Sequence, residues 1–278
     1  MEEAEERWAS KPSKVVPAYQ LEWEYPVWQL RFEEATGLVA VECRDADTLQ
    51  VSFSAFNAKT GELVLQNYKP ANAWWTGLAG IRAGLLYLQG VAAKGVGRPA
   101  GITAVAITDG QVKWQLPEYS FYGFTANELL VLPASAESTE LIPLIPETGE
   151  VTGSGLDITG GPTKLVKGRE SLRIPQHYAE GGSYFNDLKE FILRESGCVA
   201  HSAIDYLETD RHIVLGFYPE KQEQNQVYRL FLFTISGVCL LQEDLGKDLS
   251  GIGTDNFFIF QDTLILFKNK SSLLGYEV

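Results

Sequence analysis

Short hydrophobic runs, each followed by a small polar cluster ending in glycine, recur along this chain. The clusters are Asn57–Glu62 (NAKTGE), Thr108–Gln111 (TDGQ), Pro146–Glu150 (PETGE) and Thr234–Val238 (TISGV). A glycine so placed supplies the positive φ that a tight hairpin needs. Gly61, Gly110, Gly149 and Gly237 are separated by 49, 39 and 88 residues, the last close to two ordinary periods. The runs entering these turns, Val51–Phe56, Ile102–Ile107 and Tyr228–Thr234, are short and rich in β-branched or aromatic residues, so they read as strands.

A second run precedes each of these: Leu38–Val41, Leu85–Leu88, Leu129–Leu132 and His212–Tyr218. Earlier still come Val27–Phe32, Trp74–Ile81 and Tyr119–Thr125. Four short antiparallel strands per period is the content of a propeller blade, so the pattern predicts an all-β chain and a β-propeller. The C-terminus offers three strands, Phe257–Phe260, Leu264–Lys268 and Leu273–Val278. Tyr19–Tyr25 would supply a fourth by pairing with the last of them, which covers two exposed edges. The predicted organisation is an acidic tail over 1–17 and a single propeller domain over 18–278, closed by N- and C-terminal strands.

Residues 154–200 break the rhythm. Ser183–Ser196 places Phe185, Leu188, Phe191, Ile192 and Glu195 at helical spacing, with Ser183 as N-cap and Gly197 just past the end. This predicts six blades, one degenerate and carrying a helical insertion near 183–196. If Gly197 instead marks another hairpin, the count is open, and five blades is the alternative.

Composition sharpens the picture. The chain has 14 Phe, 12 Tyr and 6 Trp beside a single methionine, a stiff aromatic core suited to sheets. A net charge of −13 opposes nucleic-acid binding, and no basic patch offsets it. No apolar run is long enough to span a membrane, and the first residues are acidic where a signal peptide would be basic. Three cysteines, Cys43, Cys198 and Cys239, are read as free thiols of a reducing compartment. A cytoplasmic monomer, with neither nucleic acid nor membrane among its partners, is the expectation.

The strand, T-G-E turn, strand units around Lys59–Leu63, Gln111–Trp114 and Glu147–Val151 resemble the repeat of quinoprotein-type propellers. The chain as a whole resembles an uncharacterised bacterial family with such propeller-like repeats, to which no activity attaches. The resemblance would bring a pyrroloquinoline quinone (PQQ) cofactor, but the vicinal cysteine pair of the catalytic quinoproteins is missing, which argues against it. No cofactor is expected.

Two sets of residues could carry chemistry. Trp74 and Trp75, read as neighbours on a strand, would face opposite sides, so one is left for a blade interface or a ligand. His177, in Pro175–Tyr178 (PQHY) before Gly181 and Gly182, could line a site. Asp157, Asp205 and Asp255 lie 48 and 50 residues apart, so their carboxylates could converge on a channel mouth and hold a hard cation such as Ca²⁺. Turn-capping is the commoner role of such aspartates. Gly95–Ala100 (GVGRPA) lacks the following helix that a dinucleotide site requires. The expected function is a scaffold binding a protein partner or small ligand; the alternative is a metal-assisted, lactonase-like hydrolase.

Overall fold

The computed structural model describes residues 15–91, 99–134, 140–157, 171–219, 226–249 and 256–278. The fold is all-β with one α-helix among the described residues. Internal contacts divide the chain into two units, Trp23–Glu170 and Met1–Glu22 with Ser171–Val278. The first strand, β1 (Tyr19–Glu22), belongs with the C-terminal strands of the second unit. Thus the expected strand Tyr19–Tyr25 ends at Glu22.

Trp23–Glu170 holds three antiparallel meanders. The first is β2 (Val27–Glu33), β3 (Leu38–Asp45), β4 (Gln50–Asn57) and β5 (Leu63–Tyr68). The second is β6 (Thr76–Arg82), β7 (Leu85–Val91), β8 (Pro99–Ala106) and β9 (Val112–Leu116). The third is β10 (Tyr119–Phe124), β11 (Leu129–Pro133), β12 (Glu140–Leu144) and β13 (Leu156–Asp157). The predicted turn glycines follow the third strand of each: Gly61, Gly110 and Gly149 have φ of 71°, 69° and 73°. Each donates its N–H four residues back, to Asn57, Ala106 and Ile145, at 2.8–2.9 Å. Phe53 and Ala55 share one core cluster with Leu86, Leu88 and Val105, while Tyr87 and Ala104 share another with Leu129 and Leu144. Burying each large side chain contributes about 1.5–3 kcal/mol.

The first strand of every meander carries a bulge against the second, between Val27 and Gln29, Leu78 and Gly80, and Phe121 and Gly123. A bulge frees backbone groups from the ladder, and in the second and third meanders side chains of the preceding sheet take them up. Glu42, fully buried on β3, accepts the N–H of Leu78 at 2.6 Å. Gln89, on β7, accepts the N–H of Phe121 at 2.6 Å. Gln29 and Arg31 donate to the carbonyls of Leu78 and Ala79 at 3.1 Å. Glu42→Gln keeps only one acceptor oxygen for three donors, so the urea midpoint should fall by the equivalent of about 2 kcal/mol. An unchanged midpoint would show that Glu42 does not hold the two sheets.

The second unit contains β14 (Leu172–Arg173), β15 (Gln176–Ala179), helix α1 (Phe185–Ser196), β16 (His201–Glu208), β17 (His212–Tyr218), β18 (Gln226–Thr234), β19 (Cys239–Leu249), β20 (Phe257–Phe260), β21 (Thr263–Asn269) and β22 (Ser272–Glu277). They form two five-stranded sheets, β15-β16-β17-β18-β19 and β1-β22-β21-β20-β14. Tyr19, Gln20, Leu21 and Glu22 lie opposite Gly275, Leu274, Leu273 and Ser272. Within residues 154–182, β13, β14 and β15 join β12, β20 and β16.

Helix α1 lies where the helical spacing places it, and Gly197 closes it in the left-handed conformation with its N–H on the Leu193 carbonyl. The cap differs. Tyr184 takes the N-cap position with no side-chain bond, so Ser183 does not cap the helix. Phe185 and Ile192 bury one helix face among Ile204, Phe217, Phe231 and Phe233. Among the described residues no helix is long and apolar enough to cross a membrane.

Candidate functional site

Trp74 and Trp75 do not sit on a strand. Ala73–Trp75 is a single 3-10 turn, and β6 begins only at Thr76. The turn forms because the Asn72 carbonyl accepts the Trp75 N–H at 3.1 Å and the Thr76 hydroxyl at 3.0 Å. Its outer anchor is Arg44, which donates to the carbonyls of Trp74 at 3.0 Å and Thr76 at 2.5 Å. The Arg44 guanidinium also lies 5.4 Å from the Trp74 ring centre, within cation–π range. Glu42 holds Arg44 in turn through the guanidinium Nε. Beside this pair, burial and the Glu42 charge push the Cys43 thiol up to about 12.

The turn splits the tryptophan pair. Trp74 packs against the core cluster, whereas Trp75 is 45% exposed. Trp75 lines a cleft of about 580 Å³ with Tyr68, Asn72, Thr76, Thr103 and Gln115. That volume suits a small ligand. Two aromatic rings, hydroxyls and amides face it, and among the described residues no charged side chain lines it. The Gln115 amide donates to the Thr103 hydroxyl at 3.2 Å, which fixes both on the cleft wall. The sequence signal for the anchor is the Glu42 and Arg44 pair, two same-side charges directly after the apolar run Leu38–Val41. A strand alternation argument treats such charges as solvated, and so misses it.

His177 lies in the other unit, on β15 opposite Asp205 of β16. Its Nδ1 is 2.6 Å from Asp205 Oδ1, and the Tyr228 hydroxyl donates to Asp205 Oδ2 at 2.6 Å. Asp205 is 2% exposed, and the Tyr228 phenol is pushed well above its ordinary range by burial and then by the Asp205 charge. Tyr228 reaches across β17, where Gly216 stands opposite Asp205. A Cβ at Gly216 would fall 1.8 Å from the Tyr228 hydroxyl oxygen.

The structure thus joins His177 to Asp205, which the sequence had assigned to separate sites. Asp157 stands on β13 opposite Glu140, in the unit that does not contain Asp205. Asp255 and most of Gly95–Ala100 lie outside the described residues. Among the described residues, no group of three or more His, Cys, Asp or Glu side chains is placed to hold a metal ion.

Residues 32–114 match a Domain of unknown function (DUF4905). That stretch carries Glu42, Arg44, both tryptophans and the cleft wall up to Val112. Comparison with curated proteins found no match. Solved structures similar to this chain include β-propellers. Raptor from Chaetomium thermophilum covers 94% of this chain at 9% identity with a TM-score of 0.39. The Dos1 propeller covers 90% at 10% identity and 0.30. The β-propeller domain of the trilobed protease from Pyrococcus furiosus covers 92% at 8% identity and 0.27. This chain spans 28%, 54% and 71% of those three chains.

Proposed function

We propose that the protein is a β-propeller-type binding scaffold, of six or five blades with quinoprotein-like repeats, whose cleft beside Trp75 takes an uncharged, hydroxyl-bearing ligand with an apolar face. The observation that carries this reading is the lining itself: Trp75 and Tyr68 beside Asn72, Thr76, Thr103 and Gln115, with no charged side chain among the described residues that line it. An aromatic face suits the C–H face of a sugar-like ring, while amides and hydroxyls suit its rim. The Glu42–Arg44 anchor supports the reading by fixing the turn before any ligand arrives, which limits the ordering cost of binding.

The same reading includes a cytoplasmic monomer without a cofactor. Its support is the net charge of −13 and the small, odd number of cysteines, Cys43, Cys198 and Cys239, which does not suit a disulfide framework. A Ca²⁺-assisted hydrolase at Asp157, Asp205 and Asp255 is the weaker proposal, because both carboxylate oxygens of Asp205 already accept bonds from His177 and Tyr228.

Titration with the neutral trisaccharides maltotriose and cellotriose, followed by tryptophan fluorescence and calorimetry, tests the cleft. At least one should bind, and Trp75→Ala should weaken it at least tenfold, about 1.4 kcal/mol, with the melting temperature unchanged. Failure of both sugars to bind at millimolar concentration, or equal binding by Trp75→Ala, would overturn the assignment.

A further inference from the structure

We infer that His177 is a general base toward uncharged carboxylic esters, held in its reactive tautomer by Asp205 and Tyr228. The site lies in the unit that does not contain the cleft, and it rests on separate observations.

Asp205 is almost fully buried, and each of its carboxylate oxygens has a partner at 2.6 Å. One partner is the Tyr228 hydroxyl. Burial and the neighbouring charge keep that phenol protonated, so it donates. A carboxylate oxygen at 2.6 Å accepts, so in the neutral imidazole the hydrogen sits on Nδ1 and the lone pair on Nε2. The imidazole side chain is 36% exposed, and its strand β15 is the edge of its sheet. Nδ1 is taken up by Asp205, so Nε2 is the nitrogen that an incoming molecule would meet. A base fixed by a carboxylate, itself fixed by a further donor, is the orienting half of acyl-transfer sites.

The construction exceeds what satisfying one aspartate requires. Tyr228 spans a whole strand to reach Asp205, and only the missing side chain of Gly216 gives it passage. A hydroxyl from a neighbouring strand would have satisfied the carboxylate as well. The negative charge of Asp205 beside the ring, within a protein of net charge −13, disfavours anionic substrates and leaves neutral esters.

The reaction balances without any other reactant. His177 Nε2 takes a proton from water as the water oxygen bonds to the acyl carbon and the carbonyl π pair moves to its oxygen. When that pair returns, the carbon–alkoxy bond breaks, and the leaving alcohol takes the proton back from the imidazolium. One ester and one water give one acid and one alcohol, and Nε2 ends neutral. Asp205 stabilises the imidazolium between the two steps, a contribution typical of positioned bases at 10²–10⁴-fold.

The test is hydrolysis of p-nitrophenyl acetate by the full chain, read as p-nitrophenolate release. The wild type should exceed His177→Ala at least tenfold, and added imidazole should restore His177→Ala beyond its own rate in buffer. Asp205→Asn and Tyr228→Phe, as positioning changes, should lower kcat while leaving KM within twofold. Because Asp205→Asn could fail to fold, the tautomer is also read in the wild type by nitrogen-15 NMR, where Nε2 should be the unprotonated nitrogen. Equal rates for wild type and His177→Ala, or a proton on Nε2 rather than Nδ1 at neutral pH, would overturn the inference.

Discussion

Replacing Gly216 with alanine should lower the thermal midpoint by about 10 °C, which corresponds to roughly 3–5 kcal/mol in a chain of this size. The new Cβ would meet the Tyr228 hydroxyl oxygen at 1.8 Å and the ring carbons Cζ and Cε1 at 2.3 and 2.7 Å. Tyr228 is fully buried, with its ring edge-on against Tyr218 at 5.3 Å, so it has no free space into which to swing. Overpacking of this kind costs about 1–3 kcal/mol. Displacing the hydroxyl also removes a bond to a buried carboxylate, a further loss of about 1.5–3 kcal/mol. The cost should fall below about 1 kcal/mol when the alanine is introduced beside Tyr228→Leu, because the clash and the bond are then already gone. Circular dichroism melts of the four proteins measure that coupling, and an equal cost in both backgrounds would refute it.

Deleting residues 1–22 should do more damage still: loss of cooperative melting and association into dimers or larger species. The deletion removes β1 from the edge of its sheet and uncovers the paired edge of β22. The Tyr19 ring lies over Gly275, where a Cβ would sit 2.1 Å from Cζ, and burial pushes the Tyr19 phenol above its ordinary range. Ala18 adds a backbone bond to the Gly275 carbonyl at 2.8 Å, and Leu21 is buried. The exposed strand Ser272–Glu277 (SLLGYE) would then present open backbone groups with apolar neighbours, a template for a second chain. Light scattering together with a thermal melt decides the matter. A monomer that melts like the parent chain would show that β1 is dispensable.

Much of the strand pattern is local and therefore readable. Gly61, Gly110, Gly149 and Gly237 all adopt the positive φ that their turn clusters demand. His212–Tyr218 and Phe257–Phe260 coincide with β17 and β20. Other features depend on partners far along the chain. Trp74 and Trp75 read as the start of the strand Trp74–Ile81, but bonds from Arg44, about thirty residues earlier, and the Asn72 carbonyl curl them into a turn. His177 and Asp205 looked unrelated because their meeting depends on β15 adding to β16 as a fifth strand, which periodicity does not reveal. Tyr228 reads as ordinary core. Its role follows only from the glycine opposite Asp205, a position whose empty volume is a property of the assembled sheet.

The side-chain links at the bulges have a direction along the chain. Glu42 precedes Leu78, Arg31 precedes Ala79 and Gln89 precedes Phe121, so in each case the side chain belongs to the earlier sheet and the backbone group to the later one. A ribosome releases the chain in the same order, at about 5–20 residues per second. β2–β5 can therefore close before β6 emerges, with Glu42 and Arg31 already aimed outward as a docking template. Each earlier meander thus already carries the side chains that the bulge of the next one meets.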